Sequence, residues 1–346
     1  MPPPYPRDCH DRSVPGPTDR LTHRARQVAR AARTPTASAR DVANRLAHLP
    51  AAERRARALE AENAELRELY ETWVPKGHFY SPFPDAAEYE RRASGLRDPG
   101  RELVGVDLCE ASQLALADEL ATVAAAGLDL AEHEPPSGGP RYWLDNPAYA
   151  HGDGVVLHLM LRHLRPSRII EVGSGYSSAL ILDTCDGWLP DTAVTFVEPY
   201  PALVEGLLRD GDEAHVTIHR EPVQDLDPAV FSALGPGDVL FIDSTHVAKA
   251  GSDVNHLFFE VLPRLPVGVW VHLHDIFFPF EYPDAWVREG RAWHEAYLLR
   301  AFLTHSQTYA IRWYQDFLWT RHRAALESLP WVATNPGANI WLERVG

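Results

Sequence analysis

Cysteine is scarce in this chain of 346 residues. Cys9, Cys109 and Cys185 are scattered, odd in number and without metal-type spacing, which argues against a disulfide scaffold or a thiolate metal centre and fits a reducing, cytoplasmic setting. Positive charge is short too: Lys and Arg number 33 against 48 Asp and Glu, a net charge of −15. A surface that neutralises a polyanion is therefore not expected, and nucleic acid is excluded as the main partner. No apolar run approaches a membrane span, and the N-terminus has no apolar signal core, so no membrane association is expected. Residues 1–40 contain almost no large apolar side chains; Pro, Arg, Ala, Ser and Thr prevail, and such a segment cannot offset its ordering entropy, so it reads as a disordered tail. From residue 41 to 76 glycine is missing, and Ala, Glu, Arg and Leu broken only by Pro50 read as helix. Leu59, Asn63, Leu66, Tyr70 and Trp73 alternate in steps of four and three, the seam of a short coiled coil with Asn63 fixing register. The seam spans barely two heptads, so homodimer formation competes with packing on the same chain.

What the chain does contain is organised around Glu171-Val172-Gly173-Ser174-Gly175-Tyr176-Ser177-Ser178. A β-branched run, Ile169 to Val172, ends in two glycines and opens into an apolar helix-like segment: strand, tight turn, helix start. Glycine permits unusual backbone angles and close ligand approach, and the helix N-terminus offers free N–H groups. A dinucleotide fingerprint needs a third glycine where Ser178 stands, which disfavours a nicotinamide cofactor. The carboxylate of Glu171 suits a cationic amino group instead.

Residues 77–150 form a cap segment, Pro- and Tyr-rich at first, then with a helical apolar pattern from Leu108 to Leu130. Beyond it, residues 151–346 alternate strand and helix signals. Strands are predicted at 168–172, 193–197, 215–219, 238–242, 268–273, 309–317 and 339–344, with helices at 155–164, 176–185, 202–208, 254–262, 291–303 and 320–328. This pattern predicts an α/β fold with a doubly wound, mostly parallel sheet whose ligands sit at the strand C-terminal ends. Glu198, ending the second strand 25 residues beyond Gly173, is placed to accept two ribose hydroxyls. Asp243 and His246 follow the fourth strand and His274 and Asp275 the fifth. His272 alternates onto the face of His274 one pair deeper, as core. The segment after the fifth strand is aromatic and Pro-rich, and its Tyr282 and Trp286 could stack on a sugar or aromatic acceptor, or be buried against the sheet.

The motif Glu171 to Gly175 resembles the first motif of class I S-adenosylmethionine (SAM)-dependent methyltransferases, and Gly175-Tyr176-Ser177 resembles its continuation in the catechol O-methyltransferase group. The resemblance implies a seven-stranded Rossmann-like sheet, a turn that wraps the methionine half of SAM, and Ser177 near the SAM carboxylate. It also implies Gln224, in Val223-Gln224-Asp225, beside the adenine, and Tyr149 and Asp153 on the rim of the cofactor mouth. The strand-end acids and histidines resemble metal-dependent O-methyltransferases acting on catechols and macrolide sugars. Carried over, Asp243, His274 and Asp275 become ligands of a divalent ion and His246 becomes the general base. His274 stands where the sugar enzymes carry Glu, a donor set that shifts preference from Mg²⁺ toward Mn²⁺, Fe²⁺ or Zn²⁺ and leaves a metal-free site open. The implied activity is O-methylation of a small hydroxylated acceptor, a sugar or a secondary metabolite. Its rivals are a metal-independent N- or C-methyltransferase, a nicotinamide-dependent oxidoreductase and a non-catalytic SAM-binding protein.

Overall fold

The computed structural model describes residues 54–61, 63 and 73–346; the tail at 1–40 and most of the expected helix at 41–76 lie outside the described residues. Residues 1–81 and 82–346 are separate compact units. In the first, residues 54–61 are helical, the Asn63 side chain donates to the Leu59 carbonyl at 2.8 Å, and Trp73 stacks on Tyr80. Leu66 and Tyr70 of the expected seam lie outside the described residues.

The second unit carries a seven-stranded sheet: β1 (Arg168–Val172), β2 (Ala193–Val197), β3 (Val216–His219), β4 (Val239–Ile242), β5 (Trp270–His274), β6 (Tyr309–Tyr314) and β7 (Asn339–Arg344). Their order is β3-β2-β1-β4-β5-β7-β6. β1 to β5 pair in parallel, and β7 runs antiparallel to both β5 and β6, so the doubly wound, mostly parallel sheet expected from the sequence is present. β4, Val-Leu-Phe-Ile, is an unbroken apolar run with every residue buried, as fits a strand covered on both faces, and in β1 all but Arg168 are buried. Helices Gly152–Leu164 and Tyr176–Trp188 pack on each other. Among the described residues no helix is long and apolar enough to cross a membrane.

Strand order reverses beside β1, opening a crevice between the ends of β1 and β4. Register then fixes the site. Val172 lies opposite Ile242, and Ile242 opposite Leu273, so Gly173 and Asp243, just past their strands, come level with His274, the last residue of β5.

Four expected elements differ most, among them the expected helix 320–328, where a helix ends at Arg321 and a 3-10 turn spans Arg323–Leu326. The sixth strand stops at Tyr314 rather than Phe317, and a helix occupies Gln315–Arg321 where strand was expected. The chain turns there because Gln315 is claimed by other partners, accepting from the Trp313 indole and donating to the Pro336 carbonyl, while Asp316 accepts from the Phe278 amide. The expected helix 254–262 is a short α-turn, Asp253–His256, continued by a π-turn, Leu257–Val261. The helical pattern from Leu108 to Leu130 yields a helix over Glu110–Ala125.

Candidate active site

Gly173 has φ +84, and a Cβ there would collide with the carbonyl oxygen of Asp243. Only glycine lets the turn after β1 pass that close to the end of β4. Behind the turn Glu171 is fully buried and accepts hydrogen bonds from Ser177 Oγ at 2.5 Å and Ser178 Oγ at 2.7 Å. Ser178 Oγ also accepts from the Gly175 amide at 3.0 Å, capping the helix that follows. This corrects two expectations. Glu171 does not face an incoming amino group and Ser177 does not face a carboxylate; both are turned inward and hold the bend in shape. Tyr176 is half-buried, edge-on to Trp143.

Burial pushes the Glu171 carboxyl up to about 8, against the pull of the two serine hydroxyls. Since this pKa lies above that of the unfolded chain, the group's contribution to stability is complete at low pH and is lost as pH rises through about 8. Glu171→Gln, which keeps the shape without the charge, should flatten the decline in unfolding free energy between about pH 5 and 9, a difference on the order of 3 to 5 kcal/mol. Urea titrations at several pH values measure it, and parallel pH dependence in both proteins would refute the assignment.

In front of the turn lies a cavity of about 440 Å³ lined by Gly173, Ser174, Glu198, Gln224, Asp243 and Asp253 among others. Glu198 accepts from the Ser174 amide at 3.0 Å and the Tyr200 amide at 2.8 Å, and Gln224 donates to the Gly251 carbonyl. Both line this cavity.

Four side chains from the rims of β4 and β5 converge, of which Asp243 lines this cavity. Asp243 Oδ1 lies 3.4 Å from His246 Nε2 and 3.5 Å from His274 Nδ1; Asp275 lies 3.7 Å from each imidazole. His246 and Asp275 both hold left-handed backbone, φ +59 and +56, an uncommon state for residues with a side chain. For His246 the state is stabilised by a clamp, since the His294 and Glu295 amides donate to its carbonyl at 2.9 and 3.2 Å.

Sequence reasoning missed Glu295. It is 1% exposed at the start of helix Glu295–Leu303, 2.7 Å from His246 Nδ1, and so turns Nε2 toward the cluster. The only available signal was an acid in Trp293-His294-Glu295, 49 residues from its partner. Burial pulls the His246 pKa down, but the Asp243 and Glu295 carboxylates outweigh it and push the imidazole up to about 10. The resting side chain is therefore an imidazolium, not the neutral base expected at ordinary pKa. His274 is likewise raised by Asp275 and Asp243 despite its burial; Asp243 is lowered by the two imidazoles despite its own.

His272 is core, as expected: fully buried, stacked 4.0 Å from Phe241, its pKa lowered by burial. Three other expected site residues are placed differently. Tyr149 is buried with its ring 4.9 Å from that of His274, beneath the cluster rather than on a rim. Asp153 is buried as well, accepting from the Ala338 amide at 3.0 Å and Asn339 Nδ2 at 2.7 Å. Tyr282 is 3% exposed, its hydroxyl accepting from the Ala296 amide, so it offers no stacking face. Trp286 does line a cavity, a second space of about 440 Å³ on the other side of the cluster, walled also by His274, Asp275, Asp316 and Trp319.

The cluster's own atoms test whether it suits a divalent ion. Four carboxylates, those of Asp153, Asp243, Asp275 and Glu295, face two imidazoles, so even two imidazolium ions leave negative charge unbalanced in a buried setting. Burial answers by raising the Asp275 and Glu295 carboxyls. Neither ring nitrogen of His274 has a hydrogen-bond partner. Among the described residues no three or more such side chains are drawn together as a ready-made cage, yet the donors fit a divalent ion in kind and in charge.

Residues 170–276 match a family model described as a methyltransferase domain. An uncharacterized protein of Archaeoglobus fulgidus is 30% identical over 168 residues, 46% of this chain and 73% of its own length. Among solved structures, the O-methyltransferase TomG from Streptomyces achromogenes, in complex with SAM, has 18% identity and a TM-score of 0.38, covering 68% of this chain and 90% of TomG. CmcI with magnesium and SAM has 17% identity and a TM-score of 0.36, covering 66% of this chain and 95% of CmcI.

Proposed function

Because the chain belongs to the class I SAM-dependent methyltransferases, we propose that it moves the methyl group of SAM to a hydroxyl of a sugar or secondary-metabolite small molecule, with His246 as the proton acceptor. The supporting observation is the convergence of Asp243, His246, His274 and Asp275 between the cavity at the Gly173 turn and the second cavity beyond. SAM in the first cavity and acceptor in the second would meet at this cluster.

The transfer is an in-line displacement. The acceptor oxygen forms the new bond to carbon, the carbon–sulfur pair stays on sulfur, and the hydroxyl proton passes to His246 Nε2. His246 must first be neutral. A sulfonium charge arriving beside Asp243 would draw on that carboxylate and weaken the imidazole's hold on its proton, coupling donor binding to base activation. Glu295, accepting from Nδ1, keeps Nε2 as the reactive nitrogen. A divalent ion held by Asp243, His274 and Asp275 would, when bound, lower the pKa of the acceptor hydroxyl.

Calorimetry with SAM and S-adenosylhomocysteine tests the donor assignment, and absence of heat with both would end it. For the ion, elemental analysis of the isolated protein should find about one equivalent of Mn, Fe or Zn, displaced by chelator and absent from Asp275→Ala. A metal-free protein with chelator-insensitive turnover would leave the two histidines and two aspartates as hydrogen-bonding clamps, the metal-independent form of the reaction.

A further inference from the structure

One stretch of three residues grips His246 in three ways. The His294 and Glu295 amides donate to its carbonyl at 2.9 and 3.2 Å, the Glu295 carboxylate takes Nδ1 at 2.7 Å, and the Trp293 indole packs against the ring, centroids 4.4 Å apart. The first two holds fix the backbone and one edge of the imidazole. The third covers the ring itself.

Trp293 is held in turn. Trp286 and Tyr282 meet its indole edge-on at 5.1 and 5.8 Å, and the Arg291 guanidinium lies 5.2 Å from its centroid. The Tyr282 hydroxyl accepts from the Ala296 amide, next in the chain to Glu295, so cover and carboxylate belong to one packed unit. An indole wedged on several sides cannot swing aside without disturbing its neighbours. Trp293 is also half-buried where His246 and Glu295 are buried, which stands it between that pair and solvent.

A hydrogen bond between an imidazole and a carboxylate is strong in apolar surroundings and weakens when water offers either partner a substitute. A loosened Nδ1 bond would let the ring tilt. Nε2 would then lose its aim at Asp243 and Asp275, 3.4 and 3.7 Å away.

We propose that Trp293 is a positioning residue of the methyl-transfer site: its indole keeps water from the His246–Glu295 hydrogen bond and holds the imidazole in the plane from which Nε2 takes the acceptor proton. The proposal rests on the methyl-transfer reading, which gives His246 its task.

The test uses full-length protein with nitrogen-15-labelled histidine, saturated with S-adenosylhomocysteine. A downfield proton on Nδ1, assigned by its loss in His246→Ala, should exchange slowly with water. Trp293→Leu should speed that exchange at least about tenfold, whereas Trp293→Phe, which keeps an aromatic cover, should stay within about threefold. Binding of S-adenosylhomocysteine by each variant shows that it is folded. On any hydroxyl the unaltered protein methylates, Trp293→Leu should lower kcat at least about tenfold with KM for SAM unmoved, and Trp293→Phe should recover most of the loss. Exchange as slow in Trp293→Leu as in the unaltered protein overturns the proposal. So does fast exchange in the unaltered protein, or an unchanged kcat in the leucine variant. Failure of the unaltered protein to bind SAM or S-adenosylhomocysteine would instead remove the methyl-transfer reading, while slow exchange measured without ligand would still report the cover.

Discussion

Gly173→Ala should lower SAM affinity by at least about 100-fold, roughly 3 kcal/mol in binding free energy, with the sheet still folded. The amide of Gly173 donates to the Val197 carbonyl at 3.1 Å and the Asp243 amide donates to the Val172 carbonyl at 3.0 Å, so the turn is tied on both sides to neighbouring strand ends. A methyl group at φ +84 carries the left-handed penalty of about 1 kcal/mol and also strikes the Asp243 carbonyl oxygen. Relief requires the bend to move off β4. That would take the Ser174 amide away from Glu198 and reshape the wall of the cavity proposed for the donor. Calorimetry measures the affinity, and circular dichroism separates local from global loss. Wild-type SAM binding by the alanine variant would show that the donor sits elsewhere.

His246→Ala should reduce turnover on any accepted hydroxyl by about 10² to 10⁴-fold, while SAM still binds. The variant removes the imidazole paired to Glu295, so the buried carboxylate loses that partner and some stability should be lost as well. Glu295→Gln isolates the orienting part. It should cost about 10 to 100-fold in turnover with little change in KM for SAM, and histidine nitrogen NMR should show His246 titrating at lower pH than in the unaltered protein. Full turnover by His246→Ala would remove the base. Full turnover by Glu295→Gln with the His246 titration unmoved would remove only the role given to Glu295.

Where both faces of a strand are covered, the sequence carries the signal on every residue. For that reason β1, β2 and β7 fall on the residues expected from their apolar runs. The strand-end chemistry was legible for a related reason: register makes the residue after each strand a neighbour of the next, so Asp243, His246, His274 and Asp275 could be grouped before any coordinates. Aromatic residues outside the sheet were less legible. Tyr149, Tyr282 and Trp286 look alike in a chain, and only packing decides that the first two are walled in while the third meets open space. Glu295 was hidden by distance along the chain. Glu171 was misread because its partners lie on the turn itself, where a carboxylate can serve the bend as readily as a ligand.

The two cavities draw on different stretches of the chain. The wall of the cavity at the glycine bend comes from residues between Val172 and Asp253, whereas that of the second is assembled from Arg97, the 147–153 segment, the end of β5 and the parts that follow it, up to Ala338. Substitutions that alter which molecule is methylated therefore have room to accumulate at the periphery without disturbing the methyl source. Re-engineering of this scaffold should begin at Trp319 and the 335–338 stretch, leaving the glycine bend alone.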